Sequence, residues 1–142
     1  MERLFGAMLI VVSVCGCNPD TDVPPERAYA IIAETSVPAS VTGLQANGAM
    51  WQDYCVYVRF TAPPEVVESI LSLGYTPTRW SMIAGEMNDP TYTKSFAPPW
   101  SPETIVNKQC YVRDLGGTKP VSESHYLVVD SDSGTVYAVG GN

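Results

Sequence analysis

The chain has 142 residues, of which 45% are hydrophobic and 16% are charged, and its formal net charge is −7. This length fits one domain plus an export segment, and the low charge fraction argues against intrinsic disorder. Binding to nucleic acid or to anionic lipid through charge requires a basic surface. The acidic balance therefore argues against both of these functions.

Residues 1–16 have the pattern of an export signal. Arg3 gives a weakly positive start, an apolar stretch runs from Leu4 to Val14, and the sequence turns polar at Asn18. This stretch has the length of a signal-peptide core and is shorter than the ~20 residues of a membrane-spanning helix. An ordinary signal peptide and an uncleaved anchor are the alternatives.

The run Val14-Cys15-Gly16-Cys17 resembles the lipobox of bacterial lipoproteins, in which an aliphatic residue and two small residues precede a lipidated cysteine. The resemblance implies cleavage before Cys17, acylation of Cys17 and attachment to the lipid bilayer, with residues 17–36 as a tether. Several acyl chains hold firmly because each buried methylene adds ~0.8 kcal/mol. Asn18 follows the cysteine where Asp would imply inner-membrane retention, so the resemblance implies the outer membrane.

Cys55 and Cys110 are the two cysteines after the leader. An even pair in an oxidising compartment favours a disulfide, which requires Cα atoms ~4.4–6.8 Å apart. Closing a loop of about fifty residues would add ~4 kcal/mol of stability on the chain-entropy model. Two buried thiols are the alternative.

Elements of the first half follow from periodicity and turn residues. Arg27–Glu34 fits a short helix or a strand, and we prefer the helix. Strands are predicted at Val41–Ala46 and Tyr54–Phe60, joined by a turn at Asn47-Gly48 or by a loop that extends through Trp51. The clearest helix is Pro64–Leu73, which has a proline in its first turn and an apolar stripe at helical spacing.

Residues 75–102 are predicted to form a long irregular segment because prolines interrupt them. A short strand around Trp80–Ala84 is expected within it. Ser101-Pro102-Glu103 predicts a second, short helix with Ser101 as its N-cap.

Strands are further predicted at Gln109–Arg113, Tyr126–Val129 and Thr135–Val139, the last two joined by a turn. This inventory predicts a single α+β domain over residues 37–142. Its sheet would be small and mainly antiparallel, with about 4–5 strands and one main helix packed on one face.

The run Asp130-Ser-Asp132-Ser-Gly134 has the composition of a calcium loop. An EF-hand, however, needs a glycine where Thr135 stands and a bidentate glutamate where Gly141 stands. We therefore interpret the run as a hairpin turn, for which Asp, Ser and Gly are the usual residues.

His125 is the only histidine and the only candidate imidazole base. Ser122 and Ser124 are near in sequence, but no nucleophile elbow corroborates a hydrolase site, and no glutamate pair has a spacing that singles out a glycosidase. We predict no catalytic residue, no metal site and no cofactor, and a surface or strand-end position for His125.

Four aromatic residues in or beside the irregular segment are candidate binding residues: Trp80, Tyr92, Phe96 and Trp100. Tryptophan and tyrosine give a large contact area at low entropic cost, which is why they are common at binding surfaces. The alternative, which we prefer, is that Phe96 and Trp100 cover one face of the sheet.

Short runs over residues 37–140 resemble small uncharacterised domains of bacterial lipoproteins and exported proteins. They are Val37-Pro38-Ala39-Ser40, Asp53 ahead of residues 56–62, Pro98-Pro99-Trp100-x-Pro102, and Val128-Val129-Asp130 with Gly134-x-Val136-Tyr137. Ser101 follows Trp100, so the second tryptophan common in such domains is missing. The resemblance implies a single domain and supplies no function.

The sequence thus favours a membrane-tethered envelope lipoprotein whose non-catalytic domain binds a protein, a peptide or an envelope component. One alternative is an immunity protein or inhibitor that neutralises a toxin acting in the periplasm. A hydrolase that uses His125 and a purely structural lipoprotein are the others.

Overall fold

The computed structural model describes residues 23–50, 54–116 and 123–141. The α-helices are Pro25–Ala33 (α1), Pro64–Leu71 (α2), Trp80–Met87 (α3) and Pro90–Thr93 (α4), with a 3-10 turn at Pro102–Thr104. The strands are Thr42–Met50 (β1), Tyr54–Thr61 (β2), Thr76–Thr78 (β3), Lys108–Gly116 (β4), Glu123–Asp130 (β5) and Thr135–Gly141 (β6).

The six strands form one sheet in the order β1-β2-β6-β5-β4-β3, and all neighbours are antiparallel. The α+β class and the antiparallel sheet are therefore confirmed, whereas the predicted size of about 4–5 strands is too small. The strand that the sequence did not reveal is β3, which contains Pro77. A proline is tolerated there because β3 is an edge strand, with no partner on its outer side among residues 23–50, 54–116 and 123–141.

Side-chain alternation along the strands gives two cores, one on each face of the sheet. On the first face, Val56, Val58 and Phe60 pack under α1 and α2. On the second face, Tyr57 and Trp100 belong to a cluster completed by residues of α3 and of the segment after it. The sheet is covered on both faces: α1 lies beside the predicted helix α2 on the first face, and Phe96 and Trp100, which we expected to cover a face, lie on the second.

Helix α1 is part of the folded unit, which confirms the helix preferred for this region. Tyr29 and Ile32 are completely buried, and the Tyr29 ring lies edge-on to Phe60 with centroids 5.0 Å apart. The segment 17–36, expected to be a tether, therefore contributes a core helix. Buried Val23 already belongs to the described fold.

The β1–β2 hairpin is confirmed, but the predicted turn at Asn47-Gly48 is wrong because both residues lie inside β1. The Asn47 amide nitrogen donates to the Tyr92 carbonyl at 2.9 Å and to the Ser95 hydroxyl at 2.8 Å. A Cβ atom at Gly48 would lie 2.1 Å from the carbonyl oxygen of Cys55, so the close strand approach requires glycine. The connection at 51–53 lies outside the described residues.

Two helices occupy much of the segment predicted to be irregular, and the strand expected around Trp80–Ala84 is wrong. Ile83 and Met87 are four residues apart on α3 and are both buried on the second face. A strand would also place Gly85 on that face, but Gly85 is exposed, so the pattern is helical. The predicted short helix after Ser101 is only a 3-10 turn, and Ser101 makes no side-chain cap hydrogen bond.

Candidate functional site

An open cavity of about 820 Å³ lies at one end of the first face, between α2 and the turn that joins β5 to β6. Its apolar surface includes Ala62, Val67 and Val129. Four carboxylates line it, from Glu65, Glu68, Asp130 and Asp132, and no lysine, arginine or histidine is among its lining residues. We refer to this cavity as the α2 groove.

The wall formed by α2 follows from the residues that begin the helix. Pro64 occupies its first turn, where a missing N–H costs nothing. Val67 contributes to the first-face core, whereas Glu65 and Glu68 are exposed. Residues three apart on a helix are neighbours, so the two carboxylates form one acidic edge of the groove.

The opposite wall is the β5–β6 turn, and the predicted strand–turn–strand is confirmed. Asp130 accepts hydrogen bonds from the Asp132 N–H and from the Ser133 hydroxyl, both at 2.9 Å. The bond from the Asp132 backbone is the main reason that the pKa of Asp130 is lowered. Gly134 has φ +74°, and a Cβ there would lie 2.6 Å from the Ala62 carbonyl.

His125 lies near the start of β5, at the end of the first face away from the α2 groove, and it is buried rather than on the surface. Its Nε2 is 2.8 Å from the Tyr54 hydroxyl, which donates to the Glu123 carboxylate. Its Nδ1 is 3.5 Å from the Tyr75 hydroxyl. Burial, with a smaller contribution from Arg113, lowers the pKa of His125 to about 4.

These contacts place an imidazole beside hydroxyls and a carboxylate, which are the groups of a hydrolytic site. The ring of His125 is only 2% exposed, however, and it does not line the cavities that we describe. The Tyr75 hydroxyl donates to the carbonyl of Ile32 at 3.3 Å. The cluster therefore serves as an internal network that joins α1 to the sheet.

The four candidate aromatic residues all lie on the second face, and the structure separates their roles. Phe96 and Trp100 are core residues, 6% and 8% exposed, and the Trp100 indole donates to the Met87 carbonyl at 2.8 Å. Tyr92 stacks on Tyr57 with centroids 5.5 Å apart. Of the four, Trp80 lines one of the cavities that we describe, a smaller one of about 470 Å³.

The predicted disulfide is contradicted, because Cys55 and Cys110 are both free thiols. Cys55 pairs with Gly141 of β6 and Cys110 with Val128 of β5, which places the cysteines on strands three apart. Three strand spacings of ~4.8 Å exceed the ~6.8 Å reach of a disulfide. Burial is the main cause that raises the pKa of Cys55 to about 11, so this thiol is protonated at neutral pH.

Arg59 is a buried residue that the sequence did not single out. It is 6% exposed, and its guanidinium donates to the Pro98 carbonyl at 2.7 Å and to Gln45 at 3.2 Å. The same group lies 5.3 Å from the centre of the Phe96 ring. Arg59 therefore fastens the segment that covers the second face.

No family model, curated protein or solved structure matches the chain. Among the residues that the structure covers, no helix is long and apolar enough to cross a membrane, and no group of three or more potential ligands could hold a metal. The leader and Cys17 lie outside those residues.

Proposed function

We propose that the chain is a membrane-tethered envelope lipoprotein whose domain binds a basic segment of a partner protein in the α2 groove, without catalysis. The proposal of a membrane tether rests on the lipobox-like residues that end at Cys17. The binding activity rests on one observation, the α2 groove itself. Its volume of about 820 Å³ and its apolar surface are those of a ligand site.

The charge of the α2 groove selects the partner. Glu65 and Glu68 make no hydrogen bond or ion pair with the side chains that the structure describes, so a ligand can engage them without breaking native contacts. Asp130 and Asp132 add negative charge on the facing wall. Lysine or arginine side chains are attracted to such a surface, and their aliphatic stems suit an apolar floor.

The tether is tested by metabolic labelling with radioactive palmitate in a bacterial host. We expect Cys17→Ala to abolish labelling and to release the protein from the membrane fraction, because the acyl chains are its attachment. Cys15→Ala is the matched control and should keep both properties. Undiminished labelling of Cys17→Ala would contradict the lipoprotein assignment.

The groove is tested by photo-crosslinking in intact envelopes, with the crosslinker placed at exposed Ser40 on the rim. The double variant Glu65→Lys with Glu68→Lys reverses the charge of both free carboxylates. It should reduce the yield of crosslinked partner about tenfold, because two attractive charge pairs with the partner become repulsive. The control is Glu26→Lys with Glu103→Lys, which changes the net charge equally at exposed positions outside the groove. Equal crosslinking by the two variants would show that the partner binds elsewhere.

A further inference from the structure

A second cavity, of about 470 Å³, opens at the β3 edge of the sheet. β3 pairs only with Cys110–Val112, and the chain then turns away at Arg79 to begin α3. β4 starts two residues before this pairing, at Lys108. The difference in strand length leaves a depression between Arg79-Trp80 and Lys108-Gln109, hereafter the β3 notch.

The β3 notch is basic, unlike the chain as a whole. Arg79 and Lys108 line it and no carboxylate does, although the sequence has 15 acidic and only 8 basic residues. Neither side chain forms an ion pair within the described part of the chain. Lys108 Nζ lies 5.3 Å from the centre of the Trp80 ring and donates to the Glu103 carbonyl at 3.0 Å, so this charge is held in place.

Aromatic and amide groups complete the lining. Trp80 enters the β3 notch from α3 on the second face of the sheet, whereas Tyr111 borders it from β4 on the first face; both are partly buried. The Tyr111 hydroxyl donates to the Gln109 amide oxygen at 3.0 Å, which leaves the amide nitrogen of Gln109 as a donor. Thr78 adds a hydroxyl. Aromatic surface beside a few placed donors is the pattern of a site for a small ring that carries polar groups.

We propose that the β3 notch binds one acidic sugar unit, a pyranose ring that carries a carboxylate or a phosphate. Arg79 and Lys108 hold the anion, since a guanidinium matches both groups in a bidentate way. Trp80 contacts the ring, and Thr78 bonds one of its hydroxyls. Gln109 borders both cavities, but Arg79, Trp80 and Lys108 do not line the α2 groove, and the site does not depend on the tether.

The test is a titration of the full-length mature protein in detergent, followed by calorimetry and by the indole N–H resonance of Trp80. The probes are glucuronate for the carboxylate form, glucose 6-phosphate for the phosphate form, and glucose as the neutral control. At least one acidic probe should bind about tenfold more tightly than glucose, because hydrogen bonds between an anion and a charged donor are stronger than those between neutral groups. The acid that binds identifies a carboxylated or a phosphorylated source.

The variants Arg79→Gln and Lys108→Gln should each weaken this binding about tenfold for the same reason. Lys94→Gln removes an exposed charge at the end of α4, outside the β3 notch, and should leave it unchanged. Circular dichroism reports whether each variant is folded. Equal affinity for glucose, no saturation by either acid below about 10 mM, or full binding by both notch variants would overturn the inference.

Discussion

Burial keeps the imidazole of His125 neutral among five polar groups, two of which are carboxylates. These are Tyr54 of β2, Tyr75 before β3, Arg113 of β4, Glu123 of β5 and Glu34 after α1. Arg113 bonds Glu34 at 3.0 Å, so its charge is partly compensated. Desolvation therefore dominates, and it disfavours the protonated ring.

We expect the free energy of unfolding to fall between pH 6.5 and pH 4 because of His125. Its pKa is about 4 in the folded protein and near 6.5 when unfolded, so the unfolded chain binds more protons in this window. Stability is complete above the unfolded value and is lost as the pH falls, by about 3 kcal/mol at pH 4. Urea unfolding at several pH values measures this loss.

His125→Gln is the matched variant for this measurement. Carboxylates add their own pH dependence to both proteins, so the difference between the two curves isolates the imidazole. The variant should be less stable at pH 7 and should have the flatter curve. Parallel curves would mean that His125 titrates normally and is accessible to water.

Sequence could not reveal this environment, because the contacts of His125 are remote in the chain. Tyr54 and Tyr75 are 71 and 50 positions away from it. The packing of Phe96 and Trp100 against the sheet could be predicted from the sequence. The predicted helices were too few to cover both faces, and aromatic residues were available to do so. The burial of Arg59 could not be predicted, because an arginine within a strand usually points to solvent.

At the scale of elements, α3 carries two methionines that face opposite ways. Met87 is completely buried and Met82 is 73% exposed. We expect Met87→Ala to lower the free energy of unfolding by about 2–5 kcal/mol and Met82→Ala by less than about 0.5 kcal/mol. Thermal or urea denaturation of both variants compares them directly. Similar losses would contradict the orientation of α3.

Elements whose signals are local were predicted well, and those that depend on tertiary contacts were not. Dense runs of β-branched and aromatic residues predicted the strands β2, β5 and β6. Prolines and an apolar stripe predicted the helix α2. The dipeptide Asn47-Gly48 favours a turn by itself, but the bonds from Asn47 to the α4 region stabilise an extended strand. Context of this kind overrides local propensity.

At the scale of the whole molecule, the strand order predicts the state of the thiols. We expect Cys55 and Cys110 of protein purified without reductant each to take up one iodoacetamide group after denaturation. Denaturation is needed because burial raises the pKa of both thiols. Peptide mass spectrometry locates the groups, and Cys55→Ser should lose only one of them. A peptide in which Cys55 is joined to Cys110 would contradict the sheet register.

The class of the fold was within reach of the sequence, but the arrangement of its strands was not. Hairpins predict which consecutive strands pair, and no local pattern states that β6 lies between β2 and β5. Both cavities depend on such placements. The α2 groove joins residues from Ser40 to Gly134, and the β3 notch exists only because β3 is shorter than β4.

The central position of β6 has a consequence for biogenesis. β6 is the last in chain order of the strands that the structure describes, and β2 pairs with it over the whole range from Cys55–Gly141 to Thr61–Thr135. The middle of the sheet therefore cannot close until the ribosome has added residue 141, and pairings so distant in sequence form slowly. The export that we propose would pass the chain through a channel that admits only unfolded polypeptide, and a nascent chain that stays open until then meets this requirement.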